Sequence, residues 1–241
     1  MKNVKILFVG FLTTLSLSVF SMHHELGPEA IAEAWITAGY TGKNEAINMV
    51  TTHLAEDGVR SAPRYVGFGF EFDPDAKKGE ITVTRVVPDS PASKVLQVGD
   101  QFLRVKGVTV NERNMDKLPF RGKPGEPVKA KIKRDGKMLN IEVARGIIAG
   151  SYSKAEILEN MTNADADDWA PEEFNIEEVL SKGNIVYVLH SAKNTEESSG
   201  LPFSSFTVTR FMFNEDGKIS WVGRLTEDRF VLEQLGYSIT R

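Results

Sequence analysis

The chain has 241 residues, enough for one large domain or two ordinary ones. Hydrophobic residues make up 41% and charged residues 26%, which suits a chain with a real core and a solvated surface. The net charge of −4 argues against a nucleic-acid binder, and the absence of cysteine excludes disulfides, thiol catalysis, thiolate metal sites and acylation of a lipoprotein cysteine.

In chain order, residues 1–21 read as a secretory leader. Lys2 and Lys5 precede an apolar stretch from Ile6 to Phe20, and Val19 and Ser21 suit a small-residue cleavage site, so the mature chain is expected to start near Met22. The stretch is shorter than the roughly 20 residues of a membrane span, so no integral span is expected after cleavage. His23 and His24 follow directly and read as part of a flexible terminus rather than a metal site. Residues 28–40 predict a helix, with Pro28 at its first position, Gly39 at its end, and Ala30, Ile31, Ala34, Trp35 and Ala38 on one face. Residues 44–57 predict a second helix with Ile47, Met49, Val50 and Leu54 inward, completing an αα-hairpin.

Residues 64–146 read as β-rich, with strands near 66–72, 80–87, 101–106, 127–134 and 137–144. Asp135-Gly136 supplies a hairpin turn. Residues 90–96 predict a short helix capped by Ser90, and 111–120 another. Residues 153–163 predict a helix, followed by strands near 174–181, 184–193, 203–213 and 218–225. A last helix over 226–235 has Thr226 as its expected N-cap and Gly236 as its stop.

The stretch "YVGFGFEF" (65–72) alternates apolar residues with two glycines. A strand beginning with glycines lets its backbone approach a ligand, and exposed N–H groups in such a turn form an anion-binding nest. Together with "ITVTRVVPDSPASKVLQVGD" (81–100), "FLRVKGVTV" (102–110) and "PGEPVKAKIKRDGKMLNIEV" (124–143), it resembles a PDZ domain of the bacterial periplasmic type over residues 61–150. The resemblance implies capture of a peptide or protein C-terminus by strand addition. Its carboxylate loop fits two registers, Tyr65-Val66-Gly67-Phe68 and Gly67-Phe68-Gly69-Phe70, both of which put Val66, Phe68, Phe70 and Phe72 on one face. In either, the N–H groups of 67–69 are expected to meet the carboxylate, Arg64 to add positive charge, and Phe72, Met115 and Leu118 to line the pocket for the last peptide side chain. The best-known bacterial bearers of this domain are serine proteases, but this chain has no G-x-S-x-G and no Ser/His/Asp set that can be placed.

The segments 22–60 and 151–241 flank that module. "AEAWITAGYTGKNEAINMVTTHLAEDGV" and "GNIVYVLHS…FSSFTVTRFMFNEDGKISWVGRLTEDRFVLEQLG" resemble the nuclear-transport-factor-2-like, or SnoaL-like, fold. The fold class expected is therefore α+β: a PDZ β-sandwich or barrel module inserted into a cone-shaped domain with a bent antiparallel sheet. Cone-fold enzymes use an Asp or His base in their cavity. Trp35, Tyr40, His53, Asp57, Tyr187, His190, Arg210 and Trp221 are the residues here that such a pocket would draw on, although none sits in a specific motif. The acidic stretch 163–174 fails the calcium-loop pattern, with Asp168 where Gly is needed and Phe174 where Glu is needed. Lys129, Lys131 and Lys133 form one solvated strand face.

These readings converge on an exported, periplasmic or secreted, non-catalytic adaptor that binds C-termini, with no cofactor, no metal and no nucleic-acid partner. The alternative is a small-molecule-binding or isomerase/hydrolase-type enzyme of the SnoaL-like fold with a regulatory PDZ insert. Nothing in the sequence specifies an oligomeric state.

Overall fold

The structure, a computed structural model, describes residues 26–165 and 170–237. The expected leader and cleavage site over residues 1–21, as well as His23, His24 and Asp168, lie outside the described residues.

Helix α1 (Pro28–Thr41) starts at Pro28 as expected but runs through Gly39. Its buried face is Ile31, Ala32 and Ile36, with Trp35 beside it. A single residue, Gly42, separates it from α2 (Lys43–His53). The second helix does not reach residue 57; Leu54–Ser61 is strand β1. Two carbonyls at the helix end, those of Thr51 and Leu54, accept hydrogen bonds from the buried Lys154 ammonium at 2.9 Å each, so the chain is satisfied when it leaves the helix there.

The next unit contains β2 (Tyr65–Gly67), β3 (Phe70–Glu71), β4 (Ile81–Thr82), β5 (Arg85–Val86) and a 3-10 turn at Ala92–Lys94. It continues with β6 (Gln101–Val105), β7 (Val108–Thr109) and a 3-10 helix at Glu112–Lys117, in place of the two predicted α-helical turns. Strands β8 (Pro127–Arg134) and β9 (Lys137–Ala144) form the expected hairpin, with Asp135 and Gly136 at φ 48° and 78°. Strand β10 (Gly146–Ile148) closes the unit by pairing antiparallel with β2. Its core is Phe68, Ile81, Val83, Ala92, Phe102, Val105, Val128 and Ile132 with their neighbours.

Strand β11 (Ser151–Ser153) returns antiparallel to β1, with Ser61 opposite Ser151. The unit between them therefore leaves and re-enters the surrounding domain at adjacent points, a geometry that tolerates insertion. Ser153 then caps α3 (Lys154–Asn163) in a capping box with Glu156. Four long strands follow: β12 (Glu173–Lys182), β13 (Ile185–Thr195), β14 (Pro202–Phe213) and β15 (Ile219–Thr226). They join β1 and β11 in one sheet of order β11-β1-β15-β14-β13-β12, parallel only where β1 meets β15. Register shifts in β1, β12 and the β14–β15 pair bend it. Helices α1 to α3 fill its concave face over Val186, Val188, Phe211, Phe213, Ile219 and Val222. The last helix, α4 (Asp228–Gln234), starts later than expected: Thr226 ends β15, and its hydroxyl lies 2.9 Å from that of Thr207 instead of capping the helix. Among the described residues no helix is long and apolar enough to cross a membrane.

The two units meet around Arg85. Its guanidinium donates to Glu71 and Glu156, each at 2.8 Å, and to the Ser151 carbonyl at 2.7 Å, while lying 4.7 Å over the Tyr152 ring. The Tyr152 hydroxyl donates to Glu71 at 3.0 Å. Burial works against the charge on Arg85, but the two carboxylates outweigh it and hold the guanidinium protonated.

Candidate functional site

The predicted glycine-rich strand is two strands with a turn between them. Gly69 has φ 90°, in the left-handed region, and a Cβ built on it would stand 2.3 Å from the Ser90 Cβ. Gly67 is not left-handed, and a Cβ there would meet the Tyr65 ring at 2.8 Å. The left-handed residue of this turn is therefore Gly69 and not Gly67.

The carbonyls of this turn are fixed on one side. That of Phe68 accepts from the Ala92 N–H at 2.8 Å. That of Gly69 accepts from the Val87 N–H at 2.9 Å and the Ser90 hydroxyl at 3.1 Å. In a trans peptide the N–H points opposite to the preceding carbonyl. The N–H groups of Gly69 and Phe70 are thus turned away from β5 and the 3-10 turn, toward the unpaired edge of β3. Phe70 faces Val86 and Glu71 faces Arg85, so β3 uses only its other edge. Among the described residues the Gly69 N–H has no acceptor, although residues 67–69 are all buried. Buried backbone donors are nearly always paired, so this is a position that suits an incoming acceptor.

Beside this edge, Phe70, Phe72, Met115, Leu118 and Phe120 pack half-buried on the core. Met115 lies in the 3-10 helix and Leu118 is its C-terminal cap residue. Phe120 was not foreseen. It sits 5.1 Å from Phe70, 5.4 Å from Phe68 and 5.1 Å from Phe102, edge-on to all three. Val66 is half-buried in β2 opposite Ile147, and Arg64 is exposed. The cation that approaches the turn is instead Arg121, 3.8 Å over the Tyr65 ring.

Residues 65–144 match the family model of the PDZ domain. Around this matched segment stand two helices and a strand before it and a third helix with four long antiparallel strands after it, all joined through one bent six-stranded sheet. An HtrA-type protease, AlgW, with a decapeptide, is 22% identical over 35% of this chain and 30% of that one, with a TM-score of 0.30. The serine endoprotease from Yersinia pestis is 22% identical over 35% of this chain and 30% of that one, with a TM-score of 0.28. The chain spans about a third of the length of these proteases. A loop-truncation variant of IdmH, the Streptomyces antibioticus protein described as a candidate polyketide cyclase, is 9% identical over 87% of this chain and 99% of that one, with a TM-score of 0.39. No match was found among curated proteins.

The eight residues considered for a cone pocket do not converge. Trp35 packs edge-on to Phe211 in the core, with ring centroids 6.1 Å apart. Tyr187, Arg210 and Trp221 lie on the outer face of the sheet: Tyr187 is 40% exposed, Arg210 donates to its hydroxyl at 3.3 Å, and the Arg210 guanidinium lies 5.1 Å over Trp221. His53 ends α2, and Asp57 is exposed on β1. On the inner side of the sheet Tyr40 and His190 touch, with the Tyr40 hydroxyl 2.9 Å from His190 Nδ1 and Thr209 Oγ1 2.9 Å from Nε2. A neutral imidazole satisfies both when Tyr40 donates to Nδ1 and Nε2–H donates to Thr209. His190 is 3% exposed with both nitrogens occupied, the arrangement of a structural histidine. Among the described residues no cluster of side chains suits a metal.

Burial, and secondarily the Arg224 charge, lower the His190 pKa to about 4. Between about pH 6.5 and 4 the unfolded chain binds a proton there and the folded chain does not. Stability is therefore expected to fall by about 3 kcal/mol as pH drops through that window, and to lose this dependence below it. Urea unfolding at a series of pH values checks this, and His190→Gln should flatten the slope; an unchanged slope would assign it to other groups.

Proposed function

We propose that this is an exported binding protein whose PDZ domain takes the free C-terminus of a peptide or protein as a strand added to β3. The supporting observation is the peptide geometry of the turn: carbonyls of Phe68 and Gly69 pinned to one side, N–H groups of Gly69 and Phe70 aimed at the unpaired edge. A terminal carboxylate accepts from these two donors, and the peptide backbone continues the ladder along Phe70 and Phe72. The last side chain then rests on the floor formed by Phe70, Met115, Leu118 and Phe120. The cone carries and positions this module through Arg85.

The reading is tested with a library of free-acid peptides and their amidated copies. Free acids are expected to bind, with amidation weakening binding at least about tenfold, the loss of a charge-assisted contact. Equal binding of acids and amides, or no binding of either, would refute carboxylate capture.

A further inference from the structure

We propose that Arg121 reads the residue before the last, selecting an acidic side chain there; this deepens, and rests on, the reading of the turn as a C-terminus site. Side chains of an added strand alternate between its two faces. The last residue shares the face of Phe68 and Phe70 and meets the apolar floor. The residue before it shares the face of Glu71 on β3, and the Tyr65 hydroxyl lies within electrostatic reach of Glu71, Arg121 and Arg85.

On that face the Tyr65 ring crosses Gly67, its Cε2 2.8 Å from the place a Cβ would take. The absence of a side chain at 67 is what lets the ring lie there. The Arg121 guanidinium stacks on this ring at 3.8 Å. Its backbone arrives from the groove, since the Phe120 carbonyl is 3.6 Å from the same Gly67 point. The segment is held from behind by Arg145, which is almost fully buried, donates to the Pro119 carbonyl at 2.6 Å and bonds Glu126. Gly122 lets that guanidinium close in, because a Cβ there would stand 2.8 Å from it.

The other charges on this face are already matched. Glu71 is bound by Arg85 and the Tyr152 hydroxyl, and Arg85 by Glu71, Glu156 and Ser151. Arg121 is exposed and has no carboxylate partner among the described residues. A free cation, oriented by an aromatic stack, stands where the penultimate side chain emerges. A carboxylate there gains a partner without displacing one, whereas a lysine meets like charge.

The test uses labelled octapeptides ending in X-Phe or X-Val with X as Glu, Gln or Lys, each as acid and amide, read by fluorescence anisotropy on the full chain. The expected order among free acids is Glu, then Gln, then Lys, with Glu over Lys by about tenfold, the size of two exposed charge contacts. Arg121→Gln should level the three, and Arg121→Glu should reverse them while acids still exceed amides. If Arg121→Gln weakens all three acids equally, Arg121 serves the terminal carboxylate and the proposal is overturned. If the wild-type acids rank equally but exceed their amides, the proposal falls and the C-terminus reading stands. If acids and amides bind alike, both fall.

Discussion

Replacing Gly69 by alanine is expected to abolish C-terminus binding and to cost about 2–4 kcal/mol of stability. The methyl group adds strain at a left-handed φ of 90° and collides at 2.3 Å with Ser90 Cβ, an atom fixed by the backbone of the neighbouring turn. Relief requires moving the very segment that holds the Gly69 carbonyl, so the outward aim of the Gly69 and Phe70 donors is lost with it. Gly67→Ala is the control. There the obstacle is the Tyr65 ring at 2.8 Å, a side chain that can swing, and the backbone is not left-handed. It should cost less than about 1 kcal/mol and leave the turn intact. Urea unfolding and acid-versus-amide anisotropy on both variants measure the difference. A Gly69→Ala protein that kept wild-type stability and binding would show that the turn does not depend on this conformation.

The second large effect is expected at Asp100. Its carboxylate is 0% exposed and receives Arg134 at 2.6 and 2.7 Å and the Gln97 N–H at 3.0 Å. Arg134 also donates to the Val95 carbonyl at 2.8 Å, so the pair ties the 3-10 turn at Ala92–Lys94 to β8. Burial opposes the charged carboxylate, yet the Arg134 and Gln97 hydrogen bonds outweigh it and hold its pKa below the ordinary aspartate value. Asp100→Ala leaves the guanidinium without its partner and should cost about 3 kcal/mol, at the low end for a broken buried pair because Arg134 is partly solvated. The pH sign is that of a depressed carboxylate: the contribution is present above the unfolded pKa and lost as pH falls through the folded one. It therefore lies below the His190 window, and the two should separate as successive steps in an acid titration of stability, each removed by its own substitution.

Much of this architecture can be read from local pattern. The Asp135-Gly136 hairpin and the four long strands β12 to β15 announce themselves through alternation and turn residues, because each side of those strands meets a different medium. Strand β1 does not. "LAEDGVRS" is polar and continues a helical stretch, and its conversion depends on Lys154, about a hundred residues away, taking the carbonyls at the end of α2. Strands β10 and β11 are three residues each, too short for periodicity, and exist because Gly67 and Ser61 wait opposite them. At the candidate site, Phe68, Phe70 and Phe72 share the expected apolar face, but Val66 lies apart from them in β2 opposite the exposed Ile147, because the chain turns at Gly69. The two registers differ by two residues and so look alike in an alternating pattern; the left-handed backbone at Gly69, crowded by Ser90, is a tertiary feature that the pattern does not show. Phe120 and Arg121 escaped notice because their roles come from where Arg145 and Gly122 hold their segment, a tertiary matter. Arg64, adjacent in sequence to the turn, looked the better cation for lack of that information.

The central claim is that the Gly69 and Phe70 N–H groups receive a carboxylate. It is tested most directly by titrating isotope-labelled protein with the tightest free-acid peptide and its amidated copy, following backbone amide resonances. The Gly69 and Phe70 amide protons are expected to move farthest downfield with the acid and much less with the amide. Equal shifts with both peptides, or the largest shifts on the concave face around Tyr40 and His190, would contradict it.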